Sequence, residues 1–201
     1  MRRLICIGVL FLITPLTAMA QGFKDCIHIN DAPVATDPVS SRLMQVFDCY
    51  SNGLIIAAEW VPSDKYTQRM LETTVGDSIG HVAYLNDFAC SKISGVATPQ
   101  PKKLDGAADK DGIVAWLKSS VQFCRQVFSK LSDSQLVESI PWEGFDPAHN
   151  LPPNGAKVTR FAAALWVTNV LTERYGALAG YLQIGPSLSN VATVPLVEKG
   201  H

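Results

Sequence analysis

Two groups of residues in this chain have types and spacings that could do chemistry. Gly76-Asp77-Ser78-Ile79-Gly80 matches G-x-S-x-G, the turn that exposes a nucleophilic serine in serine hydrolases, and His81 follows it directly. A base such as His149 and several acids are available to complete such a site. The elbow works only where a strand turns sharply into a helix. Arg69 to Thr74 has no buried-strand character and no other strands are predicted, so Ser78 reads as part of a helix start rich in small residues. His81 falls on an apolar helix face, where a histidine is either a hydrogen-bonded core residue or a ligand.

The cysteines form the second group. Of five cysteines, Cys6 lies in the first 20 residues, read below as a signal peptide; the remaining Cys26, Cys49, Cys90 and Cys124 are an even number, and none of their spacings is C-x-x-C. A zinc knuckle or a thioredoxin-type redox pair is therefore not indicated. Two disulfides, in any of three connectivities, or buried free thiols fit the pattern. The predicted apolar stripes favour Cys90 with Cys124, leaving Cys26 to staple the N-terminal extension to Cys49.

The elements that must position these residues are helical. Apolar residues recur at spacings of three and four rather than two. A first helix is predicted from about Ser40 to Trp60, with Leu43, Phe47, Tyr50, Leu54, Ala58 and Val61 on one stripe and Pro62 ending it. A second, about Thr73 to Ser94, buries Ile79, Val82, Asn86, Ala89 and Ile93, with His81, Leu85 and Phe88 adjoining, and stops at Gly95. A third, capped by Asp109 or Asp111, carries Ile113, Leu117, Ser120, Cys124, Val127 and Leu131. Prolines 141, 147, 152 and 153 make 132–155 a long crossing loop with one helical turn near Asp133 to Val137. A fourth helix, about Ala156 to Gln183, points Phe161, Leu165, Thr168, Thr172, Tyr175, Leu178 and Leu182 inward and ends at Gly185-Pro186. The expected fold is all-α, a four-helix bundle with a long connection between helices 3 and 4.

The first 20 residues read as a secretory signal peptide: Arg2-Arg3, an apolar run from Leu4 to Leu16, and Ala18-Met19-Ala20 before Gln21. The run is shorter than the ~20 residues of a membrane span and contains Pro15. Periplasmic or secreted localisation, without membrane insertion after cleavage, is the expectation. Removing the peptide takes away two arginines and no acid, moving the formal charge from −1 to −3. That balance does not favour nucleic acid. The expected organisation is a signal peptide (1–20), an N-terminal extension (21–39), one helical domain (40–190) and a tail (191–201).

Four segments resemble the DinB-like superfamily: Ala57-Ala58-Glu59-Trp60-Val61-Pro62-Ser63-Asp64-Lys65-Tyr66; Thr74-Val75-Gly76-Asp77-Ser78-Ile79-Gly80-His81-Val82-Ala83; Ile113-Val114-Ala115-Trp116-Leu117-Lys118-Ser119-Ser120; and Glu173-Arg174-Tyr175-Gly176, which resembles the family's E-H-Y-G. The resemblance covers about 40–190. It implies a four-helix bundle holding a divalent metal by one histidine of the second helix and an H-x-x-x-H pair of the fourth. Some members use that metal to activate a low-molecular-weight thiol. Here His81 matches the first ligand, while Val170 and Arg174 stand at the other two. Valine has no donor atom and arginine is a permanent cation, so the resemblance leaves His81 as the only family ligand. Neither Asn169 nor Glu173, about 100° around the helix, inherits the vacated direction.

Three functions follow as expectations. The leading one is a non-enzymatic or ligand-binding module without cofactor, in which Arg174 and His81, with Asp77 and Tyr175 nearby, hold a small anion, or Asp77 neutralises Arg174. The second is a metal-dependent thiol-transferase-like enzyme with an altered ligand set, His149 folding over to join His81. The third is a metal-free enzyme using Arg174 and His81 with Tyr84 or Tyr175. Family members often pair through bundle faces, so a homodimer is a further expectation.

Overall fold

The computed structural model describes residues 36–98, 109–142 and 156–188. The segment expected to be a signal peptide, the rest of the expected N-terminal extension with Cys26, His149 and the expected C-terminal tail lie outside them.

The described chain is mostly helical, with two small antiparallel strand pairs. Helix α1 is Pro38–Trp60, followed by a short 3-10 turn at Ser63–Lys65 and the strands β1 (Arg69–Met70) and β2 (Thr73–Thr74). Helix α2 is Val75–Ser94, α3 is Lys110–Phe128 and α4 is the single turn Asp133–Leu136. Strands β3 (Ser139–Trp142) and β4 (Ala156–Thr159) lead into α5, Arg160–Leu188.

Local chemistry explains most boundaries. Thr74 caps α2 by accepting a bond from the Asp77 amide (3.0 Å), and Gly95 ends it in the left-handed region at φ 72°. Of the two candidate caps for α3, Asp109 is the one used, accepting from the Gly112 amide at 2.7 Å. The α1 terminus is capped from a distance: the Asp133 carboxylate accepts from the Val39 and Ser40 amides (3.1 and 2.8 Å), while Asp37 accepts from the Asp133 amide (2.8 Å). At the other end of α1, Lys110 Nζ donates to the Glu59 and Val61 carbonyls (2.6 and 2.8 Å), placing a cation on the negative pole of the helix.

Side-chain contacts fix the helix directions. Lys110 meets the end of α1 and Arg125 meets Asp48 (2.6 Å), so α3 runs antiparallel to α1. Trp116 bonds Asp87, Ser120 bonds Asn86 and Cys124 is bridged to Cys90, so α3 runs parallel to α2. Arg160 Nε donates to the Ile93 carbonyl (2.9 Å), and Tyr181 donates to Gln68 (2.8 Å) at the other end, so α5 is antiparallel to α2.

Four expectations change here. The connection between α3 and α5 is long, but both its ends lie at the same end of the helices. The ends that lie at opposite ends of the helices are instead Gly95 and Asp109, because α2 and α3 run parallel. Residues 156–159 are strand rather than helix, pairing Ser139 with Thr159 and Trp142 with Ala156, because Ile140 and Trp142 bury alternate side chains. Phe161 and Leu165 are each 39% exposed, whereas Thr168 and Leu178 are buried as expected, joined by Ala163, Ala164, Val167 and Leu171, whose small members allow close packing. Gly185-Pro186 does not end α5, which continues to Leu188; a proline this close to the end forfeits only one backbone bond.

Cys90 and Cys124, both fully buried, form a disulfide with Cα atoms 5.4 Å apart. Closing a loop of 34 residues contributes about 3–4 kcal/mol in the chain-entropy account. Cys49 is also disulfide-bonded, and its expected partner Cys26 lies outside the described residues. No helix among the described residues is long and apolar enough to cross a membrane.

The cap contributed by Asp133 has a testable pH dependence. The Ser40 amide first, with that of Val39, holds its carboxyl below the usual aspartate range. A lowered folded-state value stabilises the fold above the unfolded value of about 3.9, and that stabilisation is lost as pH falls through the folded value. Asp133→Ala is expected to lower Tm at pH 7, with the deficit shrinking below about pH 4. Melts showing an equal deficit at pH 7 and pH 3 would remove the charge from the cap.

Candidate functional site

The contact between Arg160 and Ile93 sets the register of α2 against α5. His81 lies twelve residues before Ile93 and Thr172 lies twelve after Arg160, so His81 is level with the turn bounded by Val170 and Arg174. The three positions singled out from the sequence therefore stand at one height on neighbouring helices. His81 is half-buried. Val170 is half-buried and packs against the core.

Arg174 is the unusual member. Its side chain is 23% exposed, its Nε is buried without a hydrogen bond, and its acidic neighbour Glu173, 66% exposed, is 3.9 Å away. That pair is too long and too wet to neutralise the guanidinium effectively. Asp77 is engaged elsewhere: its carboxylate accepts from the hydroxyls of Thr74 (2.8 Å) and Thr73 (3.4 Å) at the start of α2. Among the described residues no ion pair joins Asp77 to Arg174. A carboxylate in the first turn is favourably placed on the helix dipole, which accounts for Asp77 without any ligand.

Tyr175 turns toward α1. Its ring meets Tyr50 edge-on with centroids 6.0 Å apart and lies so close to Gly53 that a Cβ there would sit 2.8 Å from the ring. Burial, with the Tyr50 phenol adding in the same sense, pushes its hydroxyl above the ordinary tyrosine value. Tyr84 stacks on Phe88 (6.5 Å), which in turn meets Trp142, and Trp142 meets Trp166. These two tyrosines thus serve packing on separate sides of the helices.

Ser78 is 2% exposed and lies inside α2, so the hydrolase elbow has no exposed nucleophile. Strands β1 and β2 do precede the helix, a feature the sequence did not suggest, but each is two residues long. Among the described residues no three His, Cys, Asp or Glu side chains cluster to hold a metal. A cavity of about 430 Å³, lined by Ser40, Met44, Gln45, Phe128 and Leu131, lies where α1 begins, remote from His81.

The sequence reading overlooked Asp87. It is the one charged residue buried among the described residues, 2% exposed, and its carboxylate accepts from Trp116 Nε1 at 2.8 Å. The sequence did carry a signal: Val82, Ala83, Tyr84, Leu85, Phe88, Ala89 and Cys90 put apolar or aromatic neighbours on nearly every side of Asp87 in a helix.

Comparison of the chain with known protein families, with curated proteins and with solved structures finds no match. The class that fold and site define is thus a mainly helical protein with an internally bridged core and a half-buried, poorly neutralised arginine.

Gly53 is predicted to be required by the Tyr175 ring. Gly53→Ala should cost about 1–3 kcal/mol through overpacking, despite the better helix propensity of alanine. In a Tyr175→Leu background the same change should be nearly neutral. Equal costs in the two backgrounds, measured by urea unfolding, would contradict the contact.

Proposed function

We propose that this chain is an exported DinB-like four-helix bundle in which an arginine-centred site for a small carboxylate or phosphate stands where relatives hold a divalent metal. One observation carries the reading: Arg174, level with His81, has a buried Nε without a hydrogen bond and a distant, hydrated carboxylate as its acidic neighbour. A guanidinium in that state keeps a fork of donors that matches a carboxylate or phosphate, and partial burial strengthens such charge-assisted bonds. His81 on the facing helix supplies a second polar group at the same height. The bundle reading is supported by four long helices, α1, α2, α3 and α5, contributing to one hydrophobic core. The quoted motif segments support the family.

Inorganic phosphate, acetate and succinate are the probes for the anion. At concentrations near 100-fold above Kd, binding to the folded state alone would add about 2.7 kcal/mol and raise Tm by several degrees. The rise is expected for the unaltered protein and absent in Arg174→Met. Absence of any rise, or a rise that survives the mutation, would defeat the reading.

The family alignment has its own test. Val170→His combined with Arg174→His should create a three-histidine site with His81 and bind one equivalent of zinc or nickel. The metal should be lost when His81→Ala is added. A double variant that folds but binds no metal would show that the three positions do not converge.

A further inference from the structure

The residues next to Arg174 and His81, between α2 and α5, are apolar and aromatic. On α2, Tyr84 and Phe88 follow His81 at spacings of three and four, which puts all of them on one side of the helix. On α5, Trp166, Val170 and Arg174 are spaced by four and share a side in the same way. The two stripes have a common neighbour: Trp142 meets Phe88 edge-on at 5.3 Å and Trp166 edge-on at 5.8 Å between ring centroids. They therefore lie on the same flank of the α2–α5 pair. Because these helices are antiparallel, the path from His81 to Phe88 runs beside the path from Arg174 to Trp166, over about 10–12 Å at 1.5 Å per residue.

Tyr84, Phe88, Trp166 and Val170 are all half-buried: each packs on the core with part of its surface and keeps the rest outside it. Both ends of the strip are bounded. Trp142, 1% exposed, closes it beyond Phe88 and Trp166, and on the other side of Arg174 the bond from Tyr181 to Gln68 (2.8 Å) ties α5 to the chain before β1. Between the ends the strip carries no charge, since residues 166–172 of α5 have none and Asp87 of α2 faces Trp116 on α3. Lys92, beyond Phe88, lies over its ring at 5.6 Å. At the Arg174 end the guanidinium has only the exposed Glu173 at 3.9 Å, and Asp77 stands one turn before His81. A single guanidinium with carboxylates on both helices nearby suits a monoanion better than a phosphate dianion.

We propose that the anion held at Arg174 is a monocarboxylate with an apolar tail of medium length, its carboxylate on the guanidinium and its tail along Val170, Tyr84, Phe88 and Trp166. The proposal rests on the reading of Arg174 as an anion site and narrows it to one class of ligand. Charge complementarity fixes the orientation, because a carboxylate at the Trp142 end would lose its water without gaining the guanidinium. The tail supplies what the half-hydrated ion pair lacks, the removal of apolar surface from water on both ligand and protein.

The test is calorimetric titration of the intact protein with acetate, butyrate, hexanoate, octanoate and inorganic phosphate. Kd is expected to fall along the carboxylate series, by up to about fourfold for each fully buried methylene, so that octanoate binds at least about tenfold more tightly than acetate. Arg174→Met should remove binding of the whole series. Trp166→Ala should bring the affinities for octanoate and acetate closer together; Tyr84→Ser serves where that variant does not fold, and the series on the unaltered protein is decisive without either. Binding of acetate and phosphate that depends on Arg174, with octanoate no tighter than acetate, would overturn the tail and leave the anion site standing. A gain with chain length that survives Arg174→Met would overturn the proposed orientation and with it the proposal. Absence of binding by every probe would remove the tail and the anion site together.

Discussion

Cys90 and Cys124 tie together two helices that point the same way, and this constraint governs how the rest of the chain is threaded. Sequential helices joined by short turns run antiparallel. A parallel pair demands that the chain return along its own length before the second helix begins. The disulfide is one of three fastenings along the seam, with Asn86 to Ser120 at 3.2 Å and Asp87 to Trp116 at 2.8 Å above it. With α2 and α3 fixed side by side, α1 and α5 are left to run the opposite way, packing on them and on each other through Tyr50, Gly53 and Tyr175.

The seam is polar where a core would ordinarily be apolar. Asn86, Asp87 and Ser120 are all nearly inaccessible, and each must have partners to offset its lost hydration. Asn86 and Ser120 satisfy one another, and Ser120 also donates to the Leu117 carbonyl at 2.9 Å. Such bonds fix register, because sliding α3 by one turn would strand all of them together. Asp87 is the exception in being charged and only half satisfied, so the seam carries a group whose cost depends on its proton.

The rim of the fold shows the same economy of partners. Asp37 and Asp133 cap one another's segments across a separation of 96 residues, and Lys110 closes the opposite end of α1 while its ammonium lies 6.0 Å from the Tyr66 ring. Tyr66 itself donates to the Ala58 carbonyl at 2.7 Å, and burial pushes its phenol well above the ordinary value. These contacts satisfy the helix ends with side chains from other elements. Arg174 stands apart from this pattern, which is why the proposed function centres on it.

The sequence by itself determined the helices and most of their inward faces. Ile79, Val82, Asn86, Ala89 and Ile93 on α2, and Ile113, Leu117, Ser120, Cys124 and Val127 on α3, are all buried as their periodicity requires, because a 3.6-residue repeat projects them onto one side. Facing stripes were enough to pair Cys90 with Cys124, and Gly95 marks the end of α2 through local chemistry alone, whereas the choice of Asp109 over Asp111 as cap, and of Thr74 as the cap of α2, came from the structure. The sequence could not decide which face of α5 is turned inward: its apolar residues surround the helix, so Phe161 and Leu165 were as eligible as Ala164 and Leu171 until packing chose the smaller ones. Nor could it place the remote cap from Asp133, the pairing of β3 with β4, or the burial of Asp87 against Trp116. Each of these joins residues far apart in the chain, and only the tertiary arrangement brings such groups within bonding distance.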